Sequence, residues 1–162
     1  MKKIIFILSM TLLVCVNANA QMWSIKETNA DELKGTNAST MVIFTDNENG
    51  SFCLNFETEG IVMGIQTHKG IFNYDTIGRV KILNDVIIGF YENDKLIDKI
   101  TTSFLMRGSK IAATLNGEII VKVVQHLKYK GEVRFIVERY EDVDFDITLP
   151  MNKDLPDVKL NN

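Results

Sequence analysis

Apolar and polar residues alternate along much of the chain, and polar turn motifs interrupt the alternation about every ten residues. A period of two is typical of β-strands that bury one face. The turn motifs are Asn49-Gly50, Lys69-Gly70, Asn84-Asp85, Glu92-Asn93-Asp94, Asn116-Gly117 and Lys130-Gly131. Both prolines, Pro150 and Pro156, lie beyond the predicted strands. The pattern predicts an all-β fold, an antiparallel β-sandwich, with only a short helical stretch over residues 29–34.

The second half of the chain carries the alternation at odd positions. Residues 121–129 read as a strand that points His126 outward, and the Asn116-Gly117 motif before them reads as a hairpin turn. Residues 133–137 and 143–147 continue the same apolar phase. We expect a break at Glu141-Asp142 between two strands, because a single strand of this length is rare. A bulge there is the alternative.

The first twenty residues resemble a secretory signal peptide. Lys2 and Lys3 precede an apolar run, Ile4 to Val16, and Ala18-Asn19-Ala20 fits a cleavage site, so that Gln21 begins the mature chain. A retained anchor, or a lipoprotein modified at Cys15, is the alternative. We therefore expect a signal peptide over 1–20, one β domain over 21–149 and an extended tail over 150–162. The mature protein is expected to be secreted or periplasmic.

Charge limits the classes of partner. Without Lys2 and Lys3, the mature chain has 16 basic and 21 acidic side chains, a formal net charge of −5. This balance argues against nucleic acid and anionic membranes, which require a basic surface. No second apolar run is long enough to span a bilayer. No cofactor motif is present, and the expected partner is a protein or a small molecule.

Three aspartates at alternate positions, Asp142, Asp144 and Asp146, are the candidate metal ligands. An EF-hand loop would need glycine at position six and glutamate at position twelve, where this chain has Ile147 and Lys153. Alternate strand residues are about 6.6 Å apart, too far for three carboxylates to share one calcium ion without a bend. We expect the aspartates to be the solvated face of a strand, with cross-strand ion pairs to residues such as Arg134.

No catalytic set is predicted. His68 lies in a predicted turn and His126 on an exposed strand face, and neither has a second ligand at zinc spacing. No nucleophile elbow occurs, although a serine or Cys53 could meet a histidine in space. Cys53 is the one cysteine left after the leader, and we expect it on a partly covered second face. A dimer-forming thiol is the alternative.

Trp23 near the start of the first strand, with Arg134 or Arg139 late in the chain, is similar to the barrel-closing pair of lipocalins. The glycine usual two residues before that tryptophan is replaced by Gln21. The resemblance implies the alternative fold, a closed barrel of eight to ten strands. Such a barrel would carry a small apolar ligand in a cavity lined by residues such as Phe52, Phe56, Phe90 and Phe104.

The favoured function is an exported, non-catalytic binding or interaction module. A lipocalin-like carrier of an apolar ligand is one alternative, and a small hydrolase or hydrolase inhibitor is another. A cleft that brings Cys53 or a serine within hydrogen-bond reach of His68 or His126 would support the enzyme alternative.

Overall fold

The computed structural model of the chain describes residues 22–30, 37–57, 60–139 and 144–158. The predicted signal peptide, the short helical stretch and the Glu141-Asp142 break fall wholly or mainly outside these ranges. In chain order the elements are β1 (Met22–Thr28), β2 (Ser39–Asp46), β3 (Gly50–Glu57), β4 (Gly60–Thr67), β5 (Asp75–Ile77), β6 (Val80–Glu92), β7 (Lys95–Met106), β8 (Ile111–Thr114), α1 (Gly117–Tyr129), β9 (Glu132–Val137) and β10 (Phe145–Leu149).

The strands form one antiparallel sheet, as the alternation predicted. Its order is β1-β2-β3-β4-β8-β7-β6-β9-β10, with β5 paired to β6 beside this path. In the described ranges β1 and β10 end the order and share no hydrogen-bond ladder. The sheet is therefore not closed into a barrel, and the lipocalin-like alternative is wrong on this point. The all-β class is confirmed.

The sheet folds back over its own core. Phe52 on β3 and Phe135 on β9 are five strands apart in the order, a distance of roughly 24 Å in a flat sheet. Their ring centroids are nevertheless 5.3 Å apart. Phe72, in the segment between β4 and β5, also meets Phe145 of β10 edge to face at 5.5 Å. The two halves of the sheet thus face each other with their core side chains in contact, an arrangement consistent with a sandwich.

Two of the predicted turns connect hairpins, and a third follows β4. The β2–β3 hairpin turns at 47–49, and the β6–β7 hairpin turns at Asn93 and Asp94, whose φ angles are 49° and 61°. Gly70, with φ 67°, follows β4. Positive φ is tolerated best by Gly, Asn and Asp, which explains why these residues occupy the turns.

Two predicted turns are wrong. Asn84-Asp85 is a bulge inside β6, where the pairing with β7 shifts between Leu83 and Val86 and Asp85 has φ 54°. The strand continues because its apolar phase resumes after the extra residue. Asn116 caps a helix, and its Oδ1 accepts the N–H of Ile119 at 3.2 Å.

Residues 117–129 form helix α1, not the predicted strand. The buried side chains Ile120, Val123, Val124 and Leu127 follow the helical spacing i, i+3, i+4, i+7. Glu118 in the first turn and Lys128 in the last complement the helix dipole. At Lys130-Gly131 the chain turns into β9. A Cβ at Gly131 would lie 2.1 Å from the Tyr91 carbonyl oxygen, so the close approach to β6 requires glycine.

The core combines one face of the sheet with α1. Val133, Phe135 and Val137 on β9, and Phe145 and Ile147 on β10, are buried as predicted. The two strands pair antiparallel with each other, so residues 132–137 and 145–149 belong to two separate strands and not to one long strand. β10 ends at Leu149, directly before Pro150. Beyond it, Leu155 and Val158 are also buried against this core.

Candidate functional site

A polar surface hollow of about 410 Å³ lies where the β2–β3 turn meets the outer faces of β9 and β10. Its walls also include the end of β6 and the β6–β7 turn. We call it the acidic hollow, and it is lined by Asp46, Asn49, Tyr91, Asp94, Glu132, Arg134, Asp146 and Thr148. Four carboxylates therefore surround one guanidinium.

Arg134 and Asp146 form the floor of the acidic hollow. They are diagonal neighbours across the β9–β10 ladder, in which Arg134 pairs with Thr148 and Asp146 pairs with Ile136. Arg134 Nε donates to Asp146 Oδ1 at 2.7 Å, and Nη2 donates to Oδ2 of the same carboxylate. Hydrogen bonds to Asp146, and then to Tyr91, raise the pKa of the Arg134 guanidinium. The positive charge of Arg134 is thus already neutralised by the carboxylate of Asp146.

Asp46 stabilises the β2–β3 turn, which forms the wall of the acidic hollow opposite that floor. Its Oδ1 accepts the N–H groups of Glu48 at 2.9 Å and Asn49 at 3.1 Å, the hydrogen bonding of an Asx turn. The side chain is buried, with 7% of the residue exposed. The carboxylate of Asp46 therefore stabilises the turn that carries Asn49.

Asp94 and Glu132 form the exposed rim. Asp94 belongs to the tight β6–β7 turn, and Glu132 pairs with Tyr91 across the β6–β9 ladder. Both carboxylates line the opening of the acidic hollow. Asp146, on the floor, is already paired with Arg134. The acidic hollow is therefore suited to attract a positive group, and its volume lies within the range of small-molecule pockets.

The predicted metal ligands do not converge in the described residues. Asp142 lies outside them. Asp144 is exposed, and its backbone carbonyl accepts from Arg139 Nη2 at 2.9 Å. Asp146 is bound to Arg134, the cross-strand ion pair expected from the sequence. Within the described ranges, no three His, Cys, Asp or Glu side chains form a group that could hold a metal ion.

The two histidines have different environments. His68 lies in a turn, as predicted, and its Nε2 is 3.0 Å from Ser51 Oγ. Ser51 is buried, with 3% of the residue exposed. His126 was predicted on an exposed strand face, and this is wrong. It is buried on α1, with Nε2 at 2.9 Å from the Tyr91 carbonyl oxygen, because the helical period turns position 126 toward the sheet.

Cys53 lies on the outer face of β3, opposite in direction to Phe52 and Leu54, and it is a free, buried thiol. Burial raises its pKa from the ordinary 9.0 to about 12. Its neighbours in a small apolar depression of about 10 Å³ include Val62, Gly64 and Ala113. A thiol with so high a pKa is a poor nucleophile.

The ring and hydrogen-bond contacts of Trp23 are to residues other than the arginines, Arg134 and Arg139, that a lipocalin-like pair would use. Its ring packs on Phe44 at 5.1 Å and edge to face on Phe52 at 6.2 Å, and its Nε1 donates to the Pro150 carbonyl at 3.3 Å. Arg134, one candidate partner, binds Asp146 instead. Arg139, the other, donates to Lys69 O and Thr67 Oγ1.

Sequence reasoning identified Arg134 and Asp146 but missed the rest of the acidic hollow. Asp46, Asp94 and Glu132 come from three separate segments, and only the fold brings them together. Asp46 carries one local signal, since Asp at the start of a four-residue turn is typical of an Asx turn.

No family model, no curated protein and no solved structure matches this chain.

In the described part of the chain, α1 has 13 residues, and no helix there combines the length and apolar character needed to cross a bilayer.

Proposed function

We propose that this protein is an exported, non-catalytic binding module that holds a small cationic group in the acidic hollow. The observation that carries the proposal is the composition of that hollow. Asp46, Asp94, Glu132 and Asp146 face one guanidinium, Arg134, which Asp146 already neutralises. The surplus of negative charge in a concave site favours a ligand of opposite sign.

The ligand group is an alkylammonium or a guanidinium. Both donate several hydrogen bonds to carboxylate oxygens and carry no acceptor of their own. Such a group has two sources, a free polyamine or a lysine or arginine side chain of another protein. Either would approach the rim carboxylates Asp94 and Glu132 first. The acidic hollow has room for the whole of a small amine or for one long side chain.

Titration calorimetry against spermidine and against a short lysine- and arginine-rich peptide tests this function. We expect binding at low ionic strength that weakens as salt is added, because the rim charges are exposed. Heat from spermidine would identify a small-molecule site, and heat from the peptide alone would identify a protein partner. No heat from either ligand would contradict the proposal.

Charge-neutralising variants of the rim localise the binding. Glu132→Gln and Asp94→Asn should each weaken binding about fivefold, roughly 1 kcal/mol. Asparagine tolerates the positive φ of 61° at position 94, so the Asp94→Asn variant should keep the turn. Asp154→Asn is the matched control, because Asp154 is exposed and does not line the acidic hollow. Equal weakening in all three variants would show only a general effect of net charge.

A small hydrolase is the second candidate, and the Ser51–His68 contact favours it. At 3.0 Å the Ser51 hydroxyl can donate to His68 Nε2, the relation of nucleophile to base in serine hydrolases. Two observations weigh against it. Ser51 is buried, and the depression that it lines has room for about one water molecule.

Labelling with a fluorophosphonate probe separates the two candidates. The binding-module proposal predicts no labelling of the folded protein. Labelling that Ser51→Ala and His68→Ala abolish would establish the hydrolase instead. Ser103→Ala is the matched control, because Ser103 is an exposed strand serine that donates to Asn84.

A further inference from the structure

We draw no further inference here: the strongest candidate, the outer face of β3, β4 and β8 around Cys53 and the unpartnered amide oxygens of Asn55 and Gln66, carries nothing, because none of the described residues shows what covers it.

Discussion

His126 shows how a polar side chain is accommodated in this core. Its ring lies edge to face against Phe90, with centroids 5.2 Å apart, and only 5% of the residue is exposed. Because a carbonyl oxygen only accepts, Nε2 must carry the hydrogen that binds the Tyr91 carbonyl. The histidine therefore satisfies a β6 carbonyl at the point where Gly131 allows the chain to pass close by. A structural role explains this residue without any catalytic one.

The raised pKa of Cys53 leads to a prediction about alkaline stability. In the unfolded chain the thiol ionises above about 9, whereas in the folded protein it stays neutral up to about 12. Unfolding therefore releases a proton between these values, and the free energy of unfolding should fall by up to about 1.4 kcal/mol per pH unit there. Urea denaturation at pH 8, 9.5 and 10.5 measures the decrease.

Cys53→Ala is the control for this prediction. Tyrosine and lysine side chains also titrate in this range, so the relevant quantity is the difference between the wild type and the variant. That difference should shrink as the pH rises from 9. A constant difference would mean that the folded thiol ionises normally.

Helix α1 is the element where alternation and helical period compete. Val121, Val123, Leu127 and Tyr129 fit a period of two, but Ile120 and Val124 do not. Those two complete the set buried by a helix, and Asn116 supplies a cap where a hairpin turn was predicted. Asn-Gly serves both purposes, so the dipeptide alone does not decide between a hairpin and a helix start.

Removing the cap should destabilise the protein measurably. Asn116→Ala loses the hydrogen bond to the Ile119 N–H and should lower the free energy of unfolding by about 1 kcal/mol. Asn116→Asp keeps an acceptor oxygen at the same place and should stay near the wild type. Thermal or urea unfolding followed by far-UV circular dichroism measures both. Equal loss in the two variants would show that the cap contributes little.

The strands were more predictable than the helix because each has its own local signal. Alternating residues such as Val133, Phe135 and Val137 identify the buried face without any knowledge of neighbours. The β6 bulge at Asp85 has no such signal, since Asn-Asp is also a common turn sequence. Tertiary pairing with β7 decides between the two.

At the scale of the whole molecule, the segment after β10 completes the core. The N–H of Asn152 donates to the Leu127 carbonyl at 2.8 Å, and Asp157 Oδ1 accepts from Lys128 Nζ and Tyr129 Oη at 2.6 Å. These contacts place Leu155 in the core beside α1. The sequence predicted an extended tail, but alternation does not reveal anchors this far apart.

Leu155→Ala should be strongly destabilising, by about 2–5 kcal/mol, because the side chain is 1% exposed and its loss leaves a cavity. Met151→Ala, at a residue 43% exposed in the same segment, is the matched control and should change stability by less than about 0.5 kcal/mol. Urea denaturation of the two variants checks this. Similar values would mean that the segment does not contribute to the core.

The acidic hollow belongs to the same scale, and for that reason the sequence could not predict it. Asp46 and Asp146 are a hundred positions apart and meet only because the sheet folds back on itself. Each aspartate also has a local structural role. Asp46 accepts the N–H groups of an Asx turn, and Asp146 binds a cross-strand arginine. Only the assembled surface shows that their charges add.

Trp23 also makes the protein its own optical probe. The chain has a single tryptophan, and its indole touches β2, β3 and the carbonyl of Pro150 beyond the last strand. Intrinsic fluorescence therefore reports on the meeting of the first and last parts of the sheet, without an added label. That meeting joins residues 127 positions apart, a contact of the kind that slows folding. Part of the emission change should thus follow a late step in folding, whereas the part due to Phe44 should accompany the pairing of β1 with β2.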